Sequence, residues 1–160
     1  QNMGGDNMEN NLKFICLRDF PELSKTSSSW FSEKWDIPES EYIESIDQCI
    51  KNRYSVPQWY VVINENKNII AGAGVIENDF HNRKDLSPNI CALFVEENYR
   101  NNGIAKNLIS FIINDIKPMG FNKIYLVTDH NNFYEKLGWE FLCMVKGDDG
   151  TLERLYKFEW

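Results

Sequence analysis

Apolar residues recur along this chain with two periods. Short runs rich in β-branched and aromatic residues, bounded by polar clusters, predict seven strands. They are "LKFICL" (Leu12–Leu17), "WYVVI" (Trp59–Ile63), "IIAGAGVI" (Ile69–Ile76), "NICALFV" (Asn89–Val95), "KIYLV" (Lys123–Val127), "WEFLCMV" (Trp139–Val145) and "LERLYKFEW" (Leu152–Trp160). Four stretches follow a helical period instead. "PELSKTSSSWFSEKW" has a proline start and a middle weakened by three serines. "DIPESEYIESIDQCIKN" carries a stripe of Tyr42, Ile43, Ile46 and Ile50. Asp36 and Glu39 have the spacing of a capping box, with Pro38 tolerated in the first turn. "GIAKNLISFIINDIKPMG" aligns Ile104, Leu108, Ile112 and Ile116 on one face, beside Ala105, Ile109 and Ile113, and ends at Pro118 and Gly120. "DHNNFYEKLG" is a short helix expected to be capped by Asp129 or Thr128 and stopped by Gly138.

The element order is β-α-α-β-β-β-α-β-α-β-β. The strand–helix–strand unit over residues 89–127 implies a parallel pair with a right-handed crossover. The turns "NENKN" and "KGDDG" imply antiparallel hairpins. A mixed, mostly antiparallel α/β sheet flanked by helices is therefore expected. "NICALFV" is apolar throughout and belongs at its centre. Gly72 and Gly74 inside a strand signal a bulge or a close backbone approach. No repeat or linker divides the chain. Residues 12–160 read as one domain, and residues 1–11 as a loose polar tail, native or appended.

A chain of 160 residues, 42% hydrophobic and 14% aromatic, can bury a core of its own. No apolar run approaches the ~20 residues that cross a bilayer. The net charge of −7 disfavours a nucleic-acid partner. The first 80 residues hold 7 Lys/Arg against 13 Asp/Glu, an imbalance that can steer a cation or simply solubilise a surface. Cys16, Cys49, Cys91 and Cys143 are far apart and form no C-x-x-C pair. They read as reduced thiols of a cytoplasmic protein, and with two histidines no metal site is expected.

The stretch "EENYRNNGIA" joins the central strand to the long helix. Amides at a helix start lack partners and carry the positive end of the dipole, which suits a phosphate. Gly103 lets backbone come close. Ala105 leaves room, and Arg100 and Lys106 add charge. Taken alone, the glycine is explained by the turn. Neither a Walker loop nor a Rossmann fingerprint is present.

Arg100-Asn101-Asn102-Gly103-Ile104-Ala105 resembles the R/Q-x-x-G-x-G/A signature of the GNAT acyltransferases. "FYEKLGW" (Phe133–Trp139) resembles the F-Y-x-K-x-G-[FW] element of the same family. The two occur in order and in the right elements. The resemblance implies the GNAT fold, with a central parallel pair that splays, and acetyl-CoA-dependent N-acetylation by direct transfer in a ternary complex. It implies acetyl-CoA as co-substrate and no metal. The pyrophosphate would lie on the turn Arg100, Asn101, Asn102, Gly103, Ile104, Ala105 and Lys106. The pantetheine arm would pair along Leu93, Phe94 and Val95, with the oxyanion donor from the Phe94–Val95 backbone. Tyr134 matches the tyrosine that returns a proton to the departing thiolate, a task suited to a phenol with a pKa of ~10.

The match departs at two places. Many relatives carry a glutamate base where Asn89 stands. Glu77, Asp79, His81 and Asp85 lie in the loop before that strand, and Glu77 and His81 are the candidate bases. The family's N-x-x-A-x-x-F-Y spacing is rearranged to "TDHNNFY", so Asp129 or His130 could face the site. Trp30, Trp35 and Asp79 are candidate acceptor contacts, since aromatic faces with carboxylates hold an ammonium. Core aromatics and surface acids are the plainer reading. A small cationic amine fits, and a peptide amine is compatible. A second copy of the chain is a candidate partner, whereas nucleic acid and membrane are not expected. A Cys91 thiolate route would need His81 as its base. The alternative to an enzyme is a GNAT-like module that senses acyl-CoA without turnover.

Overall fold

The computed structural model describes residues 11–130 and 132–160. Most of the expected 1–11 tail therefore lies outside the described residues. The strands are β1 (Lys13–Cys16), β2 (Gln58–Ile63), β3 (Ile69–Ile76), β4 (Asn89–Val95), β5 (Lys123–Thr128), β6 (Glu140–Lys146) and β7 (Leu152–Glu159). The helices are α1 (Ser24–Trp35), α2 (Glu39–Lys51), α3 (Ile104–Ile116) and α4 (Phe133–Lys136). All seven strands form one sheet in the order β1-β2-β3-β4-β5-β7-β6. The β4–β5 pair is parallel and the other neighbours are antiparallel.

Strand alternation sends side chains to two layers. Tyr60 and Val62 of β2 face α3, whose buried residues Ile104, Leu108, Ile109, Ile112, Ile113 and Ile116 follow the helical stripe. Trp59, Val61 and Ile63 face the opposite side and meet Phe31 of α1 with Tyr42, Ile46 and Cys49 of α2. Ile43, at 40% exposure, falls off the α2 stripe and Cys49 takes its place. Both strand glycines are required by this packing. A Cβ on Gly72 would stand 2.8 Å from the Phe31 ring, and one on Gly74 2.5 Å from the Trp59 ring.

Two expected caps are different in the structure. Asp36 does not cap α2; it closes α1 in the left-handed region (φ 55°), its N–H bonding Ser32 O at 2.9 Å. No side chain caps α2, which starts after Pro38. The α4 cap is Asn132, reciprocated by Glu135, and not Asp129 or Thr128. That leaves Asp129 free to point elsewhere. Arg18, Tyr60 and Asp115 tie β2 to α3 beneath the sheet. Arg18 Nη1 donates to Asp115 at 2.7 Å and Tyr60 Oη at 2.8 Å.

Candidate active site

The parallel pair comes apart almost at once. β4 and β5 are in register only at Asn89↔Tyr125, with Tyr125 N–H bonding Pro88 O at 2.9 Å. A bulge in β4 accompanies the divergence. Cys91 opposes Gly74 and Phe94 opposes Gly72, so Ala92 and Leu93 together face Ala73. Ala92 is held at φ 55°, a conformation alanine rarely adopts. Trp35 Nε1 donates to its displaced carbonyl at 3.2 Å. A bulge bends its strand, and here the bent strand leaves a cleft of about 560 Å³ between β4 and β5.

The cleft is walled by Trp35, Tyr42 and Trp59 from the α1–α2 side, and by Ala92 and Leu93 of β4. Across from them stand Val127, Thr128, Asp129, His130 and Tyr134. Four carboxylates line it, Glu41, Asp79, Asp129 and Glu153, with no lysine or arginine among the described residues. Burial and, secondarily, Glu153 push the Asp79 carboxyl up to about 6. Burial also raises Glu153, with Asp129 and Asp149 adding to it. Tyr134 is buried, which pushes its phenol up to about 12, so it stays protonated through the physiological range.

The sequence candidates divide. Tyr134, Trp35, Asp79 and Leu93 reach the cleft, and so does His130. Glu77 and His81 do not; they border a separate hollow beside Lys84 and Asp148. His81 is 1% exposed, and both of its ring nitrogens are engaged. Its Nδ1 accepts from Arg83 N–H at 3.1 Å, so Nε2 carries the proton and donates to Asn89 Oδ1 at 2.7 Å. The histidine expected as a base is thus part of a buried knot, and Glu77 is an exposed residue outside the cleft. Trp30 is also displaced. It packs edge-on against Phe94, and its Nε1 donates to Glu96 at 2.9 Å, a carboxylate that Lys34 also holds at 2.8 Å. Burial, with Asp79 second, raises the Cys91 thiol well above its ordinary value. That is the reverse of an activated nucleophile.

The turn into α3 is built from left-handed backbone. Gly103 caps the helix at φ 74° with nothing within 4 Å of a Cβ position, and Asn101 is also left-handed at φ 66°. No side chain caps α3. Asn102 folds over its own turn, donating to Tyr99 O and Arg100 O. Arg100 turns back: its Nε donates to Val95 O at 2.8 Å and its guanidinium lies over the Phe94 ring. Lys106 is exposed on the rim.

The model of the acetyltransferase (GNAT) family matches residues 20–139, which include the turn, the cleft strands and Tyr134. The chain belongs to the GNAT acetyltransferase family. It is an N-acetyltransferase. It is 31% identical over 138 residues to N-alpha-acetyltransferase 30 of Schizosaccharomyces pombe, spanning 74% of this chain and 84% of the relative. An aminoglycoside 6'-N-acetyltransferase solved with coenzyme A superposes with a TM-score of 0.67 at 16% identity, covering 92% of this chain and 96% of that one. A Vibrio cholerae spermidine N-acetyltransferase chimera gives a TM-score of 0.64 at 17% identity, covering 93% of this chain and 95% of that chain. The likenesses to solved structures are those of the GNAT fold.

Within that GNAT fold, Glu153 is the cleft residue sequence reasoning missed. It sits in a polar hairpin, and only the pairing Arg154↔Thr128 carries it to the mouth of β5. Thr128 and Ser45 are brought in the same way by long-range packing. No local signal marks them.

Proposed function

We propose that this N-acetyltransferase transfers acetyl directly, in a ternary complex, to the amine of a cationic acceptor held in the cleft. The observation that carries this reading is the cleft lining: five aromatic side chains and four carboxylates, with no basic residue but His130 among the described residues. Such a surface binds an ammonium by cation–π contact and charge pairing and repels an anion.

The residues present fit the donor. Open backbone at Gly103 and an uncapped α3 would seat the pyrophosphate, with Asn101, Asn102, Ile104, Ala105 and Lys106 around it. Arg100 would first have to leave Val95 O and Phe94. The edge of β4 that β5 abandons, over Leu93, Phe94 and Val95, offers unpaired backbone to the pantetheine arm. The Phe94–Val95 backbone on the same edge would supply the oxyanion donor. Tyr134 would protonate the departing thiolate.

A second reading keeps the same chemistry with the α-amine of a polypeptide as acceptor. The name of the Schizosaccharomyces pombe relative favours it. Thiol release from acetyl-CoA, measured with spermidine and with a tetrapeptide bearing a free N-terminus, separates the two. Turnover with spermidine supports the small acceptor; turnover with the peptide alone supports the second reading.

A further inference from the structure

The cleft contains two acids with no lysine or arginine beside them in its lining among the described residues, and they enter from opposite sides. Asp79 enters from the loop before β4, Glu153 from β7 on the far side of the split. Asp79 is half-buried and lines, with Glu153, Cys91 of β4, Tyr42 of α2 and Tyr134, the cavity between the α2 wall and the mouth of β5.

Its backbone is fixed in place. Asp79 N–H points to Asn89 Oδ1 at 3.4 Å. The same Asn89 donates to Leu86 O at 2.7 Å and to Glu77 O at 3.3 Å, and receives His81 Nε2. Phe80, next in the chain, is held left-handed at φ 59°. Residues on both sides of Asp79 are thus pinned, and its carboxylate is aimed by the loop that carries it.

We propose that Asp79 is the general base of the reaction, with Glu153 as the carboxylate that shares the cleft with it. This rests on the cationic-acceptor reading above. The acceptor ammonium gives one proton to Asp79 and becomes a neutral amine. Its nitrogen attacks the thioester carbonyl, forming the C–N bond. The C–S bond breaks and the thiolate takes the Tyr134 proton. The second nitrogen proton, lost as the amide forms, replaces the one Tyr134 gave. Asp79 returns its proton to solvent, so one proton is released per turnover.

Two like charges in a poorly solvated site disfavour full ionisation, and the proton is held by the pair. The other groups that face them are Glu41 and Tyr42 from α2, His81 from the loop before β4, Cys91 from β4, Asp129 and His130 after β5, Tyr134 from α4 and Asp149 before β7. None supplies a fixed positive charge to cancel the repulsion. Asp79 at about 6 is matched to deprotonating an amine near neutral pH.

The test is the pH dependence of kcat/KM with spermidine and the tetrapeptide as probes, together with a carbon-13 titration of the side-chain carboxyls in the free protein. Wild type should show an acid limb near 6. Asp79→Asn should lower turnover by ~10²–10⁴-fold and abolish that limb, leaving acetyl-CoA affinity unchanged. Glu153→Gln should move the limb and the Asp79 carboxyl titration to lower pH. An Asp79 carboxyl that titrates in the ordinary range, a limb that Glu153→Gln does not move, or full activity in Asp79→Asn overturns the pair alone. Wild type that acetylates neither probe overturns the acceptor reading beneath it as well.

Discussion

His81 Nε2 and Asn89 Oδ1 lie 2.7 Å apart in a site where neither residue is more than 1% exposed. The amide stands where many GNAT proteins place a carboxylate, and here it secures the loop that enters β4. Asn89→Ala would strand the imidazole N–H and two backbone carbonyls. An unsatisfied buried polar group costs about 1–3 kcal/mol, and stability should fall by at least that much. Turnover should fall further than acetyl-CoA affinity, because the loop carries Asp79 and not the turn. Urea unfolding checks the first claim; kinetics beside calorimetry checks the second.

Gly103 tests the anion seat. It is left-handed at φ 74° with open space where a Cβ would stand. Gly103→Val therefore meets backbone strain, but no clash inside the protein. The added side chain projects toward the space a pyrophosphate would take. Acetyl-CoA affinity should fall more than ~10-fold, or ~1.4 kcal/mol, by isothermal titration calorimetry. Unchanged affinity would place the diphosphate elsewhere.

Much of this arrangement was legible in the sequence. The strand cores and α3 follow from period alone, because burial on a sheet or helix face is a strong and local constraint. Gly72 and Gly74 signalled a bulge or a close approach: their missing side chains make room for Phe31 and Trp59, and the extra residue of the bulge lies opposite them, in β4. The caps were not legible. Asp36 is equally suited to ending α1 or starting α2, and the left-handed close of α1 took it. Asn132 displaced Asp129 because α4 is a single turn that begins later than its polar lead suggests. Glu153 was hidden for a different reason: it and Asp79 are over 70 residues apart in sequence, and only the sheet order brings them together.

Tyr134 tests the acid. Its ring packs among Phe133, Trp139 and Tyr156, so Tyr134→Phe keeps the packing and removes only the hydroxyl. Turnover should fall within the ~10²–10⁴-fold range of acid–base contributions, with acetyl-CoA affinity retained. Because burial raises the phenol to about 12, it holds its proton below that value. Wild-type turnover should therefore show no alkaline loss attributable to Tyr134 up to pH ~10, near the ordinary tyrosine value. A loss centred nearer 8 that vanishes in Tyr134→Phe would contradict this.

The Arg18–Asp115 pair gives a stability prediction remote from the cleft. The two side chains are 10% and 15% exposed. Burial alone would raise the Asp115 carboxyl, but hydrogen bonds from Arg18 and Tyr60 outweigh it and hold the group below its usual range. A depressed carboxylate stabilises the fold above its unfolded value and loses that contribution as pH falls through the folded one. Removing one partner of a buried pair costs about 3–5 kcal/mol. Asp115→Ala should approach that loss at pH 7, and its deficit against wild type should narrow on acidification, as followed by thermal melting.

Asp79 should behave in the opposite sense. Its carboxyl is raised to about 6 by burial and by Glu153, whereas an unfolded aspartate titrates near ~3.9. Between those values the folded protein binds more protons than the unfolded chain. Stability therefore declines as pH rises through that window and stays lower above it. Asp79→Asn removes the penalty, so the variant should melt with wild type at pH 4 and above it at pH 7. A group that lowers stability at working pH while serving turnover is what a strained catalytic position predicts. Coincident melting curves at both pH values would mean that the carboxylate is solvated in the folded protein, and that the cleft does not hold it under tension.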